Sequence, residues 1–197
     1  MKEISMIPVV HKVNDVEILK RIPTNHGLEI DLRQNNGQII LNHEISPESE
    51  GFENFLIHYK HKLLVLNIKE SGIEDQVISI LKKNNIKDYF LLDIEFPYLL
   101  MNYKNQGNSL SLRFSTYESI QSVVPFKDYV DWLWVDTYES LTINSEIAEV
   151  LKSFKICLVS PSRWGKPEKL KSFIEIFEKF NIPICAILIE EHEKITK

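Results

Sequence analysis

The sequence predicts a single α/β domain over residues 1–197, a short (β/α)8 TIM barrel, and three observations predict it. Apolar runs of strand length alternate with helical patterns along the chain. Eight such runs can be counted, the number a parallel barrel requires. Several of them are continuously apolar, as strands covered on both faces are. An open doubly wound sheet uses the same alternation with fewer strands and is the structural alternative.

The strands are expected at 6–13, 28–33, 63–68, 89–94, 110–115, 132–136, 156–159 and 182–189. Asn36-Gly37 is a tight-turn signal that joins the second strand to a short extension over 39–42. Helical patterns fall at 16–21, 52–60, 74–83, a short stretch after Pro97, 117–122, 145–153 and 168–180. Only Glu190–Lys197 follow the last strand, so the eighth helix is expected to be reduced or absent, with a second copy of the chain covering that flank as one solution.

Composition narrows the function. With 28 acidic and 23 basic residues the net charge is −5, which disfavours a broad nucleic-acid face but leaves room for a local cationic pocket. No apolar run reaches the roughly 18 residues that would cross a bilayer, so no membrane insertion is expected. The first residues, Met1-Lys2-Glu3-Ile4-Ser5, carry no secretion signal. Cys157 and Cys185 lie inside apolar runs and read as free thiols, so a reducing cytoplasm is the expected compartment.

Active sites of barrels lie at the carboxyl ends of the strands. The polar residues there are His11, Glu29 with Asp31, His43, Asn67 with Lys69, Asp93 with Glu95, Arg113, Asp136 and Ser160. Glu29 and Asp31 are two apart in Leu28-Glu29-Ile30-Asp31-Leu32, so both carboxylates project from one strand face. Two hard oxygen ligands beside an imidazole suit divalent-metal phosphate chemistry.

In this order the residues resemble the glycerophosphodiester phosphodiesterase family and its superfamily, which includes phosphatidylinositol-specific phospholipases C and spider-venom phospholipase D toxins. The family's pattern is His-Arg-Gly, then Glu-x-Asp, His-Asp, and Glu-x-Lys or Asp-x-Lys. Here the sequence reads His11-Lys12-Val13, Glu29-Ile30-Asp31, His43-Glu44 and Asn67-Ile68-Lys69. The match spans about the first third of the chain. The Arg-Gly pair has become Lys12-Val13, the third carboxylate has become Asn67, and the family's helical insertion is missing.

The resemblance implies a barrel that cleaves a small soluble phosphodiester, with one divalent cation, Mg²⁺ or Ca²⁺. Glu29, Asp31 and Asn67 would hold the cation, His11 and His43 would form the acid/base pair, and Lys69 would contact phosphate. An adjacent substrate hydroxyl would attack and give a cyclic phosphate before, or instead of, hydrolysis. The other readings are a barrel that binds a phosphorylated ligand or a protein partner without turnover, and an unrelated enzyme using Lys69 as a Schiff base.

Four further residues or segments are read from the sequence alone. Arg113, a charge inside an apolar strand, is either paired, with Glu95 or Asp136, or binds an anion of the substrate. Trp132 and Trp134 share a face with Asp136 and read as core, with Trp134 a candidate for the pocket wall. Residues 160–166, after the seventh strand, read as an exposed loop or a seat for a distal charge of the substrate. His26, His58, His61 and His192 receive no role.

Overall fold

A computed structural model of the chain describes residues 6–44, 46 and 48–190. The stretch after Glu190, where the eighth helix is expected to be reduced or absent, lies outside the described residues. Eight parallel strands form the barrel wall: β1 (Ile7–Val10), β2 (Gly27–Asn35), β5 (Leu63–Ile68), β6 (Tyr89–Leu92), β7 (Ser111–Phe114), β8 (Trp132–Val135), β9 (Lys155–Val159) and β10 (Ile184–Ile189). They follow chain order around the barrel, and β10 pairs with β1 in register Ile7↔Ala186 to Val10↔Ile189. Asn36 and Gly37 both take positive φ, 49° and 80°, and turn β2 back into the antiparallel β3 (Gln38–Leu41), beside which lies the two-residue β4 (Glu50–Gly51).

Between β6 and β7 the ladder shrinks to one bridge, Leu91↔Leu110. The Ser111 hydroxyl donates to the Leu91 carbonyl at 2.8 Å and replaces part of the missing pairing. The barrel is therefore complete in strand order but has a seam that backbone hydrogen bonds do not close.

Period-two alternation explains where the core sits. Leu28, Ile30 and Leu32 of β2 face the helices, whereas Glu29 and Asp31 face the barrel axis beside Val65 and Asn67. The barrel interior is filled by Val9, Leu63, Val65, Phe90, Leu92, Trp132, Trp134, Cys157, Val159, Ala186 and Leu188. Phe90 and Trp132 stack inside it with centroids 4.6 Å apart. Gly27 sits between β1 and β5 with no room for a side chain: a Cβ there would stand 2.9 Å from the Leu63 carbonyl oxygen and 3.0 Å from Val9 Cγ2.

The helices are α1 (Val16–Leu19), α2 (Phe52–His58), α3 (Glu74–Lys83), α4 (Phe96–Gln106), α5 (Ser145–Leu151) and α6 (Leu170–Lys179). Two of them differ from the sequence expectation. α4 is not short, because Pro97 sits in its first turn, where a missing N–H is harmless, and nothing breaks it before Gly107. The expected helix at 117–122 is instead the 3₁₀ turns Ile120–Ser122 and Val124–Phe126, and Pro125, which has no N–H, cannot donate to the Gln121 carbonyl to extend an α-helical ladder.

Candidate active site

All seven residues singled out by the sequence, His11, Glu29, Asp31, His43, Asn67, Lys69 and Arg113, line one pocket of about 220 Å³ at the carboxyl ends of the strands. A more open hollow of about 390 Å³ is bordered by Asn14, Asp15, Glu48 and Glu50, and among the described residues no histidine or cation lines it.

Glu29 and Asp31 are both buried, and each is held from two sides. The backbone N–H of Lys12 donates to Glu29 Oε2 at 2.7 Å, and Asn67 Nδ2 donates to Glu29 Oε1 at 2.9 Å. Asn14 grips Asp31 twice: its Nδ2 donates to Oδ2 at 2.9 Å, and its Oδ1 accepts from the Asp31 N–H at 2.8 Å. Lys69 Nζ approaches Asp31 Oδ1 to 3.4 Å and Asp93 Oδ2 to 4.0 Å. Burial, and then the charge of Asp31, raise the Glu29 carboxyl above its ordinary range, against the pull of His11 and its two hydrogen bonds.

His11 reaches the Glu190 carboxylate through Nδ1, at 3.3 Å, and its Nε2 stands 3.9 Å from Glu29 Oε2. His43 sits at the rim, 48% exposed, with Nδ1 2.8 Å from Glu44 Oε1. Arg33 Nε donates to the His43 carbonyl at 2.7 Å and fixes the turn that carries it.

Arg113 is paired more fully than the sequence suggests. Its Nε donates to Glu118 at 2.8 Å, its Nη1 meets Asp93, and its Nη2 meets Asp136 and, at 3.1 Å, the Tyr138 hydroxyl. Burial opposes its charge, but these three carboxylates raise its pKa further. Burial lifts Asp136 to about 6 even though Arg113 pulls the other way. Asp136 was an expected partner. The second expected partner, Glu95, is instead the residue at the head of α4, and Asp93 takes its place. A left-handed backbone at Asp93, φ 59°, breaks the alternation that would have brought Glu95 inward.

The sequence carries no match to a family model, and no curated protein matches it. Solved structures do match. A glycerophosphoryl diester phosphodiesterase from Parabacteroides distasonis superposes with TM-score 0.61 at 14% identity, covering 94% of this chain and 82% of its own. A glycerophosphodiester phosphodiesterase from Agrobacterium tumefaciens gives TM-score 0.61 at 9% identity, with 94% and 97% covered. The chain has the fold of these phosphodiesterases. The α-subunit of tryptophan synthase from Campylobacter jejuni also matches, with TM-score 0.53 at 9% identity over 97% of this chain and 88% of that one.

The phosphodiesterase-like barrel places at the pocket, or directly behind its lining, several residues to which sequence reasoning gave no role. Lys12, one residue after His11, lines it with φ 58°, so a cation stands next to the first histidine although the Arg-Gly pair is gone. Glu190 follows Ala186 and Leu188 in inward phase, a signal legible in period two. Tyr138 and Asn14 sit in loops, where no periodicity points inward.

Asn67 Nδ2 donates to Glu29, while its carbonyl Oδ1 is buried with no hydrogen-bond partner among the described residues. That orphaned oxygen and the two buried carboxylates of Glu29 and Asp31 form an oxygen-rich place, beside which Lys69 Nζ stands 3.4 Å from Asp31 Oδ1. Among the described residues no cluster of three or more His, Cys, Asp or Glu forms a ready-made cage. The residues fit a hard cation held by two carboxylates and one amide oxygen, with Lys69 already partly neutralising Asp31.

Proposed function

We propose that the protein is a metal-dependent phosphodiesterase that cleaves a small, soluble, glycerophosphodiester-like substrate by acid/base catalysis with two histidines. The observation that carries the reading is the convergence of seven sequence-predicted residues, from separate strands and a hairpin, on one pocket in a fold shared with glycerophosphodiester phosphodiesterases. Among the described residues no helix is long and apolar enough to cross a membrane, which suits a substrate taken from solution.

Glu29, Asp31 and Asn67 would hold Mg²⁺ or Ca²⁺, which supplies positive charge for the non-bridging phosphate oxygens. Asn14 keeps the Asp31 carboxylate turned into the pocket through its paired hydrogen bonds. Lys69 and Lys12 add charge for the phosphate, and Arg113 belongs to the substrate wall as a cation already held by acids.

The histidines move the protons. A carboxylate at Nδ1 calls for N–H there, so the neutral rings of His11 and His43 each keep Nε2 as the basic nitrogen. One imidazole takes the proton of an adjacent substrate hydroxyl as its oxygen bonds to phosphorus. The other, protonated, gives its proton to the alkoxide as the ester P–O bond breaks. The products are an alcohol and a cyclic phosphate, which water opens by the reverse proton transfers.

The Lys69–Asp31 contact favours a second reading, a barrel that binds a phosphate ester without turnover, because the ammonium occupies part of the cation's role. The same contact weakens the Schiff-base reading, since that chemistry needs a desolvated amine and Lys69 lies against two carboxylates. The deciding experiment assays bis-p-nitrophenyl phosphate and glycerophosphodiesters with and without Mg²⁺, Ca²⁺ and Mn²⁺. Turnover that needs a cation and falls by roughly 100-fold or more in His11→Ala and Asp31→Ala supports the enzyme. Saturable ligand binding with no turnover under any cation supports the second reading.

A further inference from the structure

We propose that the loop after β9 is a subsite for a second anionic group, a carboxylate or phosphate carried by one alcohol of the diester. This rests on the phosphodiesterase reading for where the scissile phosphate sits. Three side chains there carry hydrogen-bond donors that no acceptor among the described residues takes up. Trp164 Nε1 is buried and has no acceptor among the described residues, and an indole N–H can only donate. Tyr138 packs against it with ring centroids 4.5 Å apart. The Tyr138 hydroxyl oxygen accepts from Arg113 at 3.1 Å, and among the described residues no acceptor takes its proton. Arg163 lies 5.4 Å over the Trp164 ring and comes only within 3.9 Å of Glu190, a charge contact longer than a hydrogen bond. All three side chains line the same pocket as His11 and Glu29.

The capacity left over is entirely donating, and it includes a full positive charge. A quaternary ammonium has nothing to accept with, and Arg163 already covers the Trp164 face that such a cation would seek. A neutral hydroxyl could accept from one or two of these donors but would leave the Arg163 charge unanswered. An anionic oxygen accepts from all three, and charge-assisted hydrogen bonds are the strong ones. The site is also built rather than incidental. The Ser160 side chain accepts from Ser162 N at 3.3 Å, Gly165 turns the chain at φ 69°, and Lys166 Nζ donates to the Tyr138 carbonyl at 2.9 Å. That last bond ties the loop after β9 to the loop after β8, so the donors are positioned together.

The test compares two ligands of nearly equal shape, 3-phosphoglycerate and glycerol 3-phosphate, by isothermal titration. The native chain should prefer the first by about tenfold, the value of one good charge-assisted contact. Trp164→Phe, which keeps the ring, and Arg163→Gln should each reduce that preference to about twofold or less. Equal affinity for the two ligands, a preference that survives both substitutions, or no binding of either overturns the subsite. Turnover is read separately with sn-glycero-3-phosphoserine and sn-glycero-3-phosphocholine. A binding preference without turnover of either diester sustains the subsite and removes the phosphodiesterase reading. Turnover that favours the choline ester sustains the enzyme and overturns the subsite.

Discussion

Asn67 stands where the resemblance expects a carboxylate, and its two ends behave differently. The amide nitrogen is engaged by Glu29, while the carbonyl oxygen is buried and idle. Replacing it in Asn67→Asp adds a third buried acid beside Glu29 and Asp31. Without metal, this should destabilise the fold by about 1–3 kcal/mol, because a hydrogen bond is lost and like charges crowd. With metal, affinity for Mg²⁺ or Ca²⁺ should rise by at least about tenfold as the ligand set gains charge. Titration calorimetry and chemical unfolding measure the two effects, and unchanged affinity would leave Asn67 a purely structural hydrogen-bonder. Asp136 makes a different kind of statement, about pH. Its carboxyl is lifted to about 6 by burial, while in an unfolded chain it titrates near pH 4. Between those values the folded protein holds a proton that the unfolded chain has released. The stability that proton contributes is complete below about pH 4 and lost as pH rises to about 6. Urea unfolding of the native chain and of Asp136→Asn should therefore diverge, with the native chain losing about 2–3 kcal/mol relative to the variant across that window. Glu29, also raised, adds to the decline in both proteins.

The strands were the legible part of the fold. Leu63–Ile68 is continuously buried and matches its expected bounds, because a run apolar on both faces admits little else. Strand ends were harder to read. The first strand stops at Val10 rather than running to Val13, since Lys12 turns left-handed to point its N–H at Glu29. The seam between β6 and β7 was not legible at all, because hydrophobic pattern reports burial and not which neighbour completes a ladder. At that seam Ser111 carries part of the connection through its bond to Leu91. Ser111→Ala should destabilise the protein by about 1 kcal/mol. Amides of β6 and β7 should exchange hydrogen well before those of β2 and β5, which share a continuous register from Gly27↔Leu63 to Leu32↔Ile68. Uniform protection around the barrel would show that packing, rather than the ladder, closes the seam.

Taken as a whole, the barrel converts a scattered list of residues into a single electrostatic object. That convergence was legible, since period-two alternation and the strand-end rule both point at one mouth. The pairing inside the mouth was not, because Arg113 finds Asp93, Glu118 and Asp136 across three loops and strands that sequence spacing does not relate. The resulting balance is uneven. Glu29, Asp31, Asp93 and Asp136 face the pocket, with Glu118 and Glu190 behind them, against Lys12, Lys69, Arg113 and Arg163. A fold that gathers more acid than base in a partly buried space is stabilised by any cation that binds only the folded form. At a concentration about 100 times its dissociation constant, such a cation contributes about 2.7 kcal/mol, or roughly 5–10 °C in Tm for a chain of this size. Thermal unfolding with Mg²⁺, Ca²⁺ and Mn²⁺ should show that rise, with the strongest effect from the ion that supports turnover. Asp31→Asn should abolish it, since the substitution removes a ligand while Asn14 can still hold the side chain. If Tm stays flat for all three ions, Lys69 and Arg113 are sufficient counter-charges, and the barrel meets phosphate with its own cations alone.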